Sequence, residues 1–293
     1  MREADSASAA WEDRYWTSLD GLSLHYRDYA GVADRPPLLM LHGLTRNSRD
    51  YENVAARHAG DWRVIAPDFR GRGMSQHDPV SARYLPPTYA VDVLQLLDQL
   101  GVDEAVFIGT SLGGLVTMAV AAVQPQRIAG AVLNDVGPEL DTAGLDRIGT
   151  YVGKPVLFRD WQDAAEQLQA RSGAVHPAYG PDEWLCFARR VCRETERGVE
   201  FDYDMAIADP FTSGDTGVVA DAWPYYRALA GRPVLVLKGE HSDLLPDAVA
   251  ERMAREIPDV EVVTVPNVGH APDLDEPEAM AAIDRLLERV LRR

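Results

Sequence analysis

Cysteine is almost absent. Of 293 residues only Cys186 and Cys192 are cysteines, and no Cys-x-x-Cys pair occurs, so neither a disulfide framework nor a thiolate metal knuckle is available. Both fall in a stretch, Pro181 to Arg197, that reads as one helix. Six residues of helix span about 9 Å and turn the thiols to different faces, so both are expected to be reduced core residues. Positive charge is scarce as well: 29 Lys and Arg stand against 46 Asp and Glu, a net charge of −17, and lysine occurs only at Lys154 and Lys238. That balance opposes phosphate backbones and anionic lipid surfaces, so no nucleic acid and no membrane partner is expected. No apolar run is long enough to span a bilayer. Residues Met1 to Ala10 are polar and acidic, without the charged-then-apolar order of a secretion signal, which makes a cytoplasmic location the expectation. The seven histidines are scattered and no phosphate-cradling loop appears, so no metal and no cofactor is expected.

What the chain does have is an ordinary globular hydrophobic content, 46%, and a set of motifs. Gly109-Thr110-Ser111-Leu112-Gly113 lies between an apolar strand, Ala105 to Ile108, and a small-residue helix, Leu112 to Val123. A strand that turns sharply into a helix strains the serine backbone and exposes its hydroxyl; glycines flank it because side chains there would collide. Ser111 is therefore the candidate nucleophile. The amide of Leu112, at the helix start, is a candidate oxyanion donor. Upstream, the strand Pro37 to Leu41 runs into the turn His42-Gly43-Leu44-Thr45. His42, at a strand end, is expected to brace that loop rather than transfer protons. Downstream, the strand Pro233 to Gly239 leads to Glu240-His241-Ser242-Asp243, and the strand Val260 to Val265 leads to Asn267-Val268-Gly269-His270. Asp243 and His270 then stand on consecutive strand ends, which makes Asp243 the preferred acid. Asp135, after the strand Ala131 to Asn134, is the rival, Glu240 a lesser candidate and His241 a loop residue.

With these motifs in this order, the sequence resembles the α/β-hydrolase fold superfamily, in its form with a helical cap, over nearly its whole length. Asp68-Phe69-Arg70-Gly71-Arg72-Gly73-Met74-Ser75 is similar to the Asp-x-Arg-Gly-x-Gly-x-Ser loop of many such hydrolases. The resemblance implies an α/β fold: a mostly parallel central sheet with helices on both faces and an inserted cap. It also implies the catalytic order Ser111, Asp243, His270, acting through an acyl-enzyme, and the amide of Leu44, the residue after His42-Gly43, as the second oxyanion donor. A serine at position 111 argues against the carboxylate-nucleophile route of related epoxide hydrolases and haloalkane dehalogenases. Asp68, Arg70 and Arg72 are expected to form buried loop-bracing ion pairs rather than to bind substrate.

The domain boundaries follow from the strand rhythm. Residues 1–138 read as the first part of the core, 139–230 as the cap and 231–293 as the second part, ending in an amphipathic helix, Pro277 to Leu291. Residues Leu19 to Tyr29 read as a hairpin around Asp20-Gly21, and Trp161 to Ala170, Pro181 to Arg197 and Val218 to Ala230 as cap helices. Trp161, Trp184, Phe187, Trp223, Tyr225 and Tyr226 either line a pocket or pack, with packing the commoner use at helical spacing. Arg189 and Arg190 either meet a carboxylate or are solvated. The leading functional expectation is a serine hydrolase acting on a small or medium carboxylic ester, lactone or related carbonyl compound. Its rivals are a carbon–carbon bond hydrolase of ring-cleavage diketones, which would need arginines facing the pocket, a receptor or scaffold with negligible turnover, and a cofactor-free oxygenase.

Overall fold

The computed structural model describes residues 10–210 and 221–293. Val218, Val219 and Ala220, expected to open a cap helix, and all of the acidic opening segment but Ala10 lie outside the described residues.

The central sheet has eight strands in the order β1-β2-β4-β3-β5-β6-β10-β11. These are β1 (Trp11–Thr17), β2 (Ser23–Tyr29), β3 (Leu38–Leu41), β4 (Val64–Pro67), β5 (Ala105–Thr110), β6 (Ile128–Asn134), β10 (Val234–Gly239) and β11 (Val260–Val265). β2 pairs antiparallel with β1 and β4, and from β4 to β11 every pairing is parallel. The hairpin exists, but its first strand lies earlier than the sequence suggests. Asp20-Gly21 sits in a loop closed by Ser18, whose amide donates to the Leu22 carbonyl at 3.0 Å and whose carbonyl accepts from the Gly21 amide at 3.0 Å.

Alternate residues of the parallel strands enter two different cores. Ala105, Phe107, Leu133, Val234 and Val236 pack on one face, while Val106, Ile108, Val132, Leu235 and Leu237 pack on the other. Burial on both faces explains why these strands read as unbroken apolar runs rather than as alternating ones. The helices α1 (Glu52–His58) and α9 (Pro277–Leu291) cover the second face. In α9 the buried residues Ala279, Ala282, Ile283, Leu286, Leu287 and Val290 form a single helical stripe. On the first face lie α2 (Pro86–Gln99), α3 (Leu112–Val123), α7 (Trp223–Arg227) and α8 (Asp247–Glu256).

Between β6 and β10 the expected all-helical insertion is mixed. It contains α4 (Thr142–Gly149), α5 (Trp161–Ser172) and α6 (Pro181–Val191), together with β7 (Leu157–Phe158), β8 (Cys192–Thr195) and β9 (Gly198–Phe201). The three strands form a separate antiparallel sheet, β7-β9-β8. The predicted helix from Pro181 to Arg197 stops at Val191. From Cys192 onward the side chains alternate about a tight turn whose Gly198 has a φ of 135°, a conformation open to glycine and closed to a helix. Cys192 is buried in the local core and Cys186 is exposed, so only one of the two cysteines is the expected core residue. Among the described residues, no helix is long and apolar enough to cross a membrane.

A buried charge cluster pins the β1–β2 loop to α2. Arg70 donates to Asp92 at 2.7 and 2.8 Å, to Asp78 at 2.5 Å and to Asp20 at 2.9 Å, and its side chain is 2% exposed. Burial pushes the Asp92 carboxyl upward, against the pull of Arg70. Replacing Arg70 by leucine leaves Asp78 and Asp92 buried without a counter-ion, so a loss of about 3–5 kcal/mol of stability is expected. Urea unfolding at neutral pH checks it.

Candidate active site

Of the loops that leave the carboxyl edge of the parallel sheet, those after β3, β5, β6, β10 and β11 meet at the site, and the one after β4 braces them. β5 turns directly into α3 at Ser111, which has φ 52° and ψ −113°. The turn is possible because the neighbouring positions lack side chains. A Cβ on Gly113 would lie 1.8 Å from the Leu41 carbonyl oxygen, and one on Gly109 would lie 2.5 Å from the Gly113 backbone. The serine is thereby held out of the sheet, and His270 Nε2 lies 2.9 Å from its Oγ.

The acid partner of His270 is Asp135. Its Oδ2 lies 2.7 Å from His270 Nδ1 and accepts from the Ser242 hydroxyl at 2.6 Å, while its Oδ1 accepts from the Gly239 amide at 2.8 Å. Asp243, preferred from the sequence, is not brought to His270 as a hydrogen-bond partner. It pairs with Arg147 through both oxygens, one at 2.8 Å, and this guanidinium holds its carboxyl below the usual range. The reason is strand adjacency. Thr110 pairs with Asn134 across β5 and β6, so the next residues, Ser111 and Asp135, leave neighbouring strands at one level. Leu237 also pairs with Asn134, so a residue as far along as Asp243 has already run past that level. Asp135 turns with a φ of 55°, a conformation that aspartate tolerates better than most side chains. Glu240 accepts from the Asn267 amide at 2.8 Å, and the His241 amide donates to the Val268 carbonyl, so both brace the loop that carries His270.

The loop after β3 runs beside the serine, close enough that a Cβ on Gly43 would lie 3.8 Å from the Ser111 Cβ. Among the described residues, neither the Leu44 nor the Leu112 amide is used by a backbone hydrogen bond. The Leu44 carbonyl accepts from Arg72 Nε at 2.9 Å, and the peptide that carries the Leu44 amide is held through its own carbonyl, that of Gly43, which accepts from His42 Nδ1. His42 is fully buried. Its Nδ1–H donates to the Gly43 carbonyl at 2.7 Å and its Nε2 accepts from the Phe69 amide at 3.0 Å, an arrangement that requires the neutral ring. Burial pushes its pKa down to about 4. Asp68 accepts from the Ser48 amide at 2.6 Å, the Met74 amide at 3.0 Å and His25 at 2.7 Å. His42, Asp68, Arg70 and Arg72 are thus built into the loop framework.

A cavity of about 110 Å³ lies over the serine, lined by Gly43, Leu44, Ser111, Ile148, Tyr151 and His270 among others. It adjoins a chamber of about 440 Å³ beneath the insertion, and the two share Thr45, Arg46, Tyr151, His270 and Ala271. Of the six aromatic residues singled out from the sequence, Phe187 lines the chamber and the others do not. Trp161 and Trp184 pack in the core of the insertion, and Trp223, Tyr225 and Tyr226 pack against the main sheet. Arg189 is exposed and the Arg190 guanidinium lies 4.0 Å from Asp273; neither arginine is part of the wall of either cavity. Sequence reasoning missed Arg46, which lies at the junction of both cavities. It donates through Nε to Asp50 at 2.7 Å and covers the Phe187 ring at 4.4 Å. Among the described residues, no group of three or more His, Cys, Asp or Glu is arranged to hold a metal ion.

Comparison with known proteins places this geometry. The model of the alpha/beta hydrolase fold matches residues 36–277. The chain is 36% identical over 265 residues to the 3-hydroxybutyrate-oligomer hydrolase of Cupriavidus necator, covering 87% of this chain and 89% of that one. It is 29% identical over 244 residues to the 2-(acetamidomethylene)succinate hydrolase of Mesorhizobium japonicum, covering 83% and 84%. The crystal structure of an alpha/beta hydrolase from Novosphingobium aromaticivorans superposes with a TM-score of 0.92 at 54% identity, covering 96% of this chain and 99% of that chain.

Two outcomes are expected from the site geometry. Asp135→Asn lowers kcat on any ester that the enzyme turns over by about 10⁴-fold, because the carboxylate that orients the imidazole is lost, whereas Asp243→Asn costs less than about tenfold; steady-state kinetics on the two variants checks this. Stability falls with acidity through His42: the unfolded chain takes up the proton near pH 6.5, the folded one only near 4. The contribution is complete above pH 6.5 and declines as the pH falls towards 4, on the order of 3 kcal/mol in all. Urea titrations across that window should show a shallower slope for His42→Gln.

Proposed function

The chain belongs to the alpha/beta hydrolase fold family, and we propose that it is a serine ester hydrolase that cleaves short oligoesters of a hydroxy acid by way of an acyl-enzyme. The observation that supports this most directly is the continuous relay from Asp135 through His270 to Ser111, opening onto two joined cavities. In this reading the Ser111 Oγ attacks the ester carbonyl carbon as its proton passes to His270 Nε2, and Asp135 holds the other ring nitrogen and stabilises the imidazolium. The Leu44 and Leu112 amides receive the charge that develops on the carbonyl oxygen. His270 then protonates the leaving alkoxide, and water activated by the same imidazole hydrolyses the acyl-serine. In this reading the insertion acts as a cap: its residues between Arg147 and Tyr203 wall the chamber and set its selectivity.

The substrate class draws on the likeness to a protein named for 3-hydroxybutyrate oligomers. A carbon–carbon bond hydrolase is the second reading, favoured by three arginines in the chamber wall, Arg46, Arg147 and Arg171. Arg46 and Arg147 are already paired with carboxylates, Asp50 and Asp243, which leaves Arg171 alone of the three without one among the described residues and weighs towards a substrate with a single carboxylate.

Stopped-flow traces with p-nitrophenyl butyrate are expected to show a burst that Ser111→Ala abolishes, with kcat lowered by about 10⁶-fold. The dimer and trimer of 3-hydroxybutyrate are expected to be hydrolysed to monomer, followed by acid release. No turnover of any ester, with cleavage of a vinylogous diketone instead, would reverse the order of the two readings; binding without turnover of either would leave a receptor.

A further inference from the structure

In a chain with 46 acidic and 29 basic side chains, the wall of the larger chamber contains Arg46, Arg147, Lys154 and Arg171 and not one aspartate or glutamate. Its charges are of two kinds. Arg46 and Arg147 are each neutralised by a carboxylate outside the chamber wall: Asp243 for Arg147, and for Arg46 Asp50, which lines the adjoining cavity over the serine. Lys154, in the loop after α4, and Arg171, in the last turn of α5, are exposed and form no ion pair among the described residues. Arginine is the common cation of this chain, and one of its two lysines stands here. Between these cations the wall is apolar, with Leu168, Val175, Phe187, Val191 and Phe201.

We propose that Lys154 and Arg171 bind the free terminal carboxylate of the substrate, while the apolar wall carries its alkyl chain towards Ser111. The inference rests on the ester hydrolase reading above and adds the end of the molecule that is recognised. Two uncompensated cations at the mouth of a chamber without acidic groups concentrate the local potential and oppose the repulsion that a net charge of −17 exerts on an anion. The apolar wall beside them lowers the local dielectric, so a carboxylate there gains more from each N–H donor than it does in open water.

The chemistry of a hydroxy-acid oligomer then fixes direction. Whichever ester bond is cut, the fragment that bears the free carboxylate is the alcohol that leaves. The chamber is therefore the leaving-group site, and the cavity of about 110 Å³ over the serine receives the acyl part. Hydrolysis breaks the acyl carbon to alkoxide oxygen bond. The alkoxide takes its proton from His270, and the product in the chamber is a hydroxy acid with its carboxylate still on the two cations.

The test compares the 3-hydroxybutyrate dimer as its free acid with its methyl ester, using the full-length enzyme and the double variant Lys154→Gln/Arg171→Gln. The wild type is expected to favour the free acid by about tenfold in KM, with the preference shrinking as salt is raised, and the double variant to treat the two alike. Turnover of p-nitrophenyl butyrate, which has no carboxylate, is followed in both proteins as the measure of a folded, active site, and the double substitution is expected to change its KM by much less than the loss of about tenfold on the free acid. The same pair of ligands is titrated into the Ser111→Ala protein, so that Kd is read without catalysis. Equal KM and Kd for acid and ester in the wild-type background, or a preference that survives in the double variant, overturns the carboxylate assignment even if ester hydrolysis stands. A preference in Kd without any ester turnover keeps the assignment and overturns the hydrolase reading instead.

Discussion

The pairing of Thr110 with Asn134 across β5 and β6 is the contact on which the site depends. It brings two residues that the chain separates widely, Ser111 and Asp135, off adjacent strands at one height. Both then turn through positive φ, 52° and 55°, so that their side chains point over the sheet edge rather than along it. Neither turn is favourable for a residue with a Cβ. Each is held by the surroundings: Ser111 by the close approach of α3 to β3 at Gly113, and Asp135 by its own amide donating to Leu237 and by the donors on its carboxylate. His270 needs only to reach into the gap between them, and the loop that carries it is pinned by Glu240 and by the Gly269 amide donating to Val175.

Around that centre the loops are stiffened by buried polar groups, which hold their geometry more firmly than apolar contacts could. The neutral ring of His42 accepts one backbone hydrogen bond and donates another, tying the loop after β3 to the loop after β4. Arg72 fixes the Leu44 carbonyl, and Arg70 gathers three carboxylates. Groups of this kind are costly to bury, and the cost is offset only when nearly every donor and acceptor is met. Directionality is what such a network contributes: in the proposed mechanism the Leu44 amide has to point at one place, and van der Waals packing does not specify the rotation of a peptide plane as the bond from His42 to the Gly43 carbonyl does.

Much of this was legible in the chain. α3, β11 and α9 fall on the residues the pattern assigns, because each is long or bounded by a glycine or proline signal. The serine turn was legible because its glycines answer a steric demand at fixed spacing. The acid was not, for a physical reason. Sequence order suggested Asp243 because its strand, β10, immediately precedes the strand leading to His270, but β10 is the second neighbour of β5 and β6 is the first. Adjacency in the sheet is a tertiary property that no local pattern carries. The small sheet of the insertion was hidden for a different reason: β7 has two residues and β8 and β9 four each, too short for alternation to stand out beside the helical stretch that precedes them.

The distribution of charge completes the argument. A net charge of −17 makes the exterior repel anions, whereas the chamber wall, without an acidic side chain, is the one part of the site built with the opposite sign. Arg46 and Arg147 show that a cation there can be neutralised within the fold, since each is paired with a carboxylate. The cations at Lys154 and Arg171 have been left without that provision among the described residues. An uncompensated charge on an exposed rim costs the fold little, because water solvates it in the absence of ligand. The same charge becomes valuable once an apolar chain fills the chamber and displaces that water, so selectivity for an anion can be carried by the cap without destabilising the core beneath it.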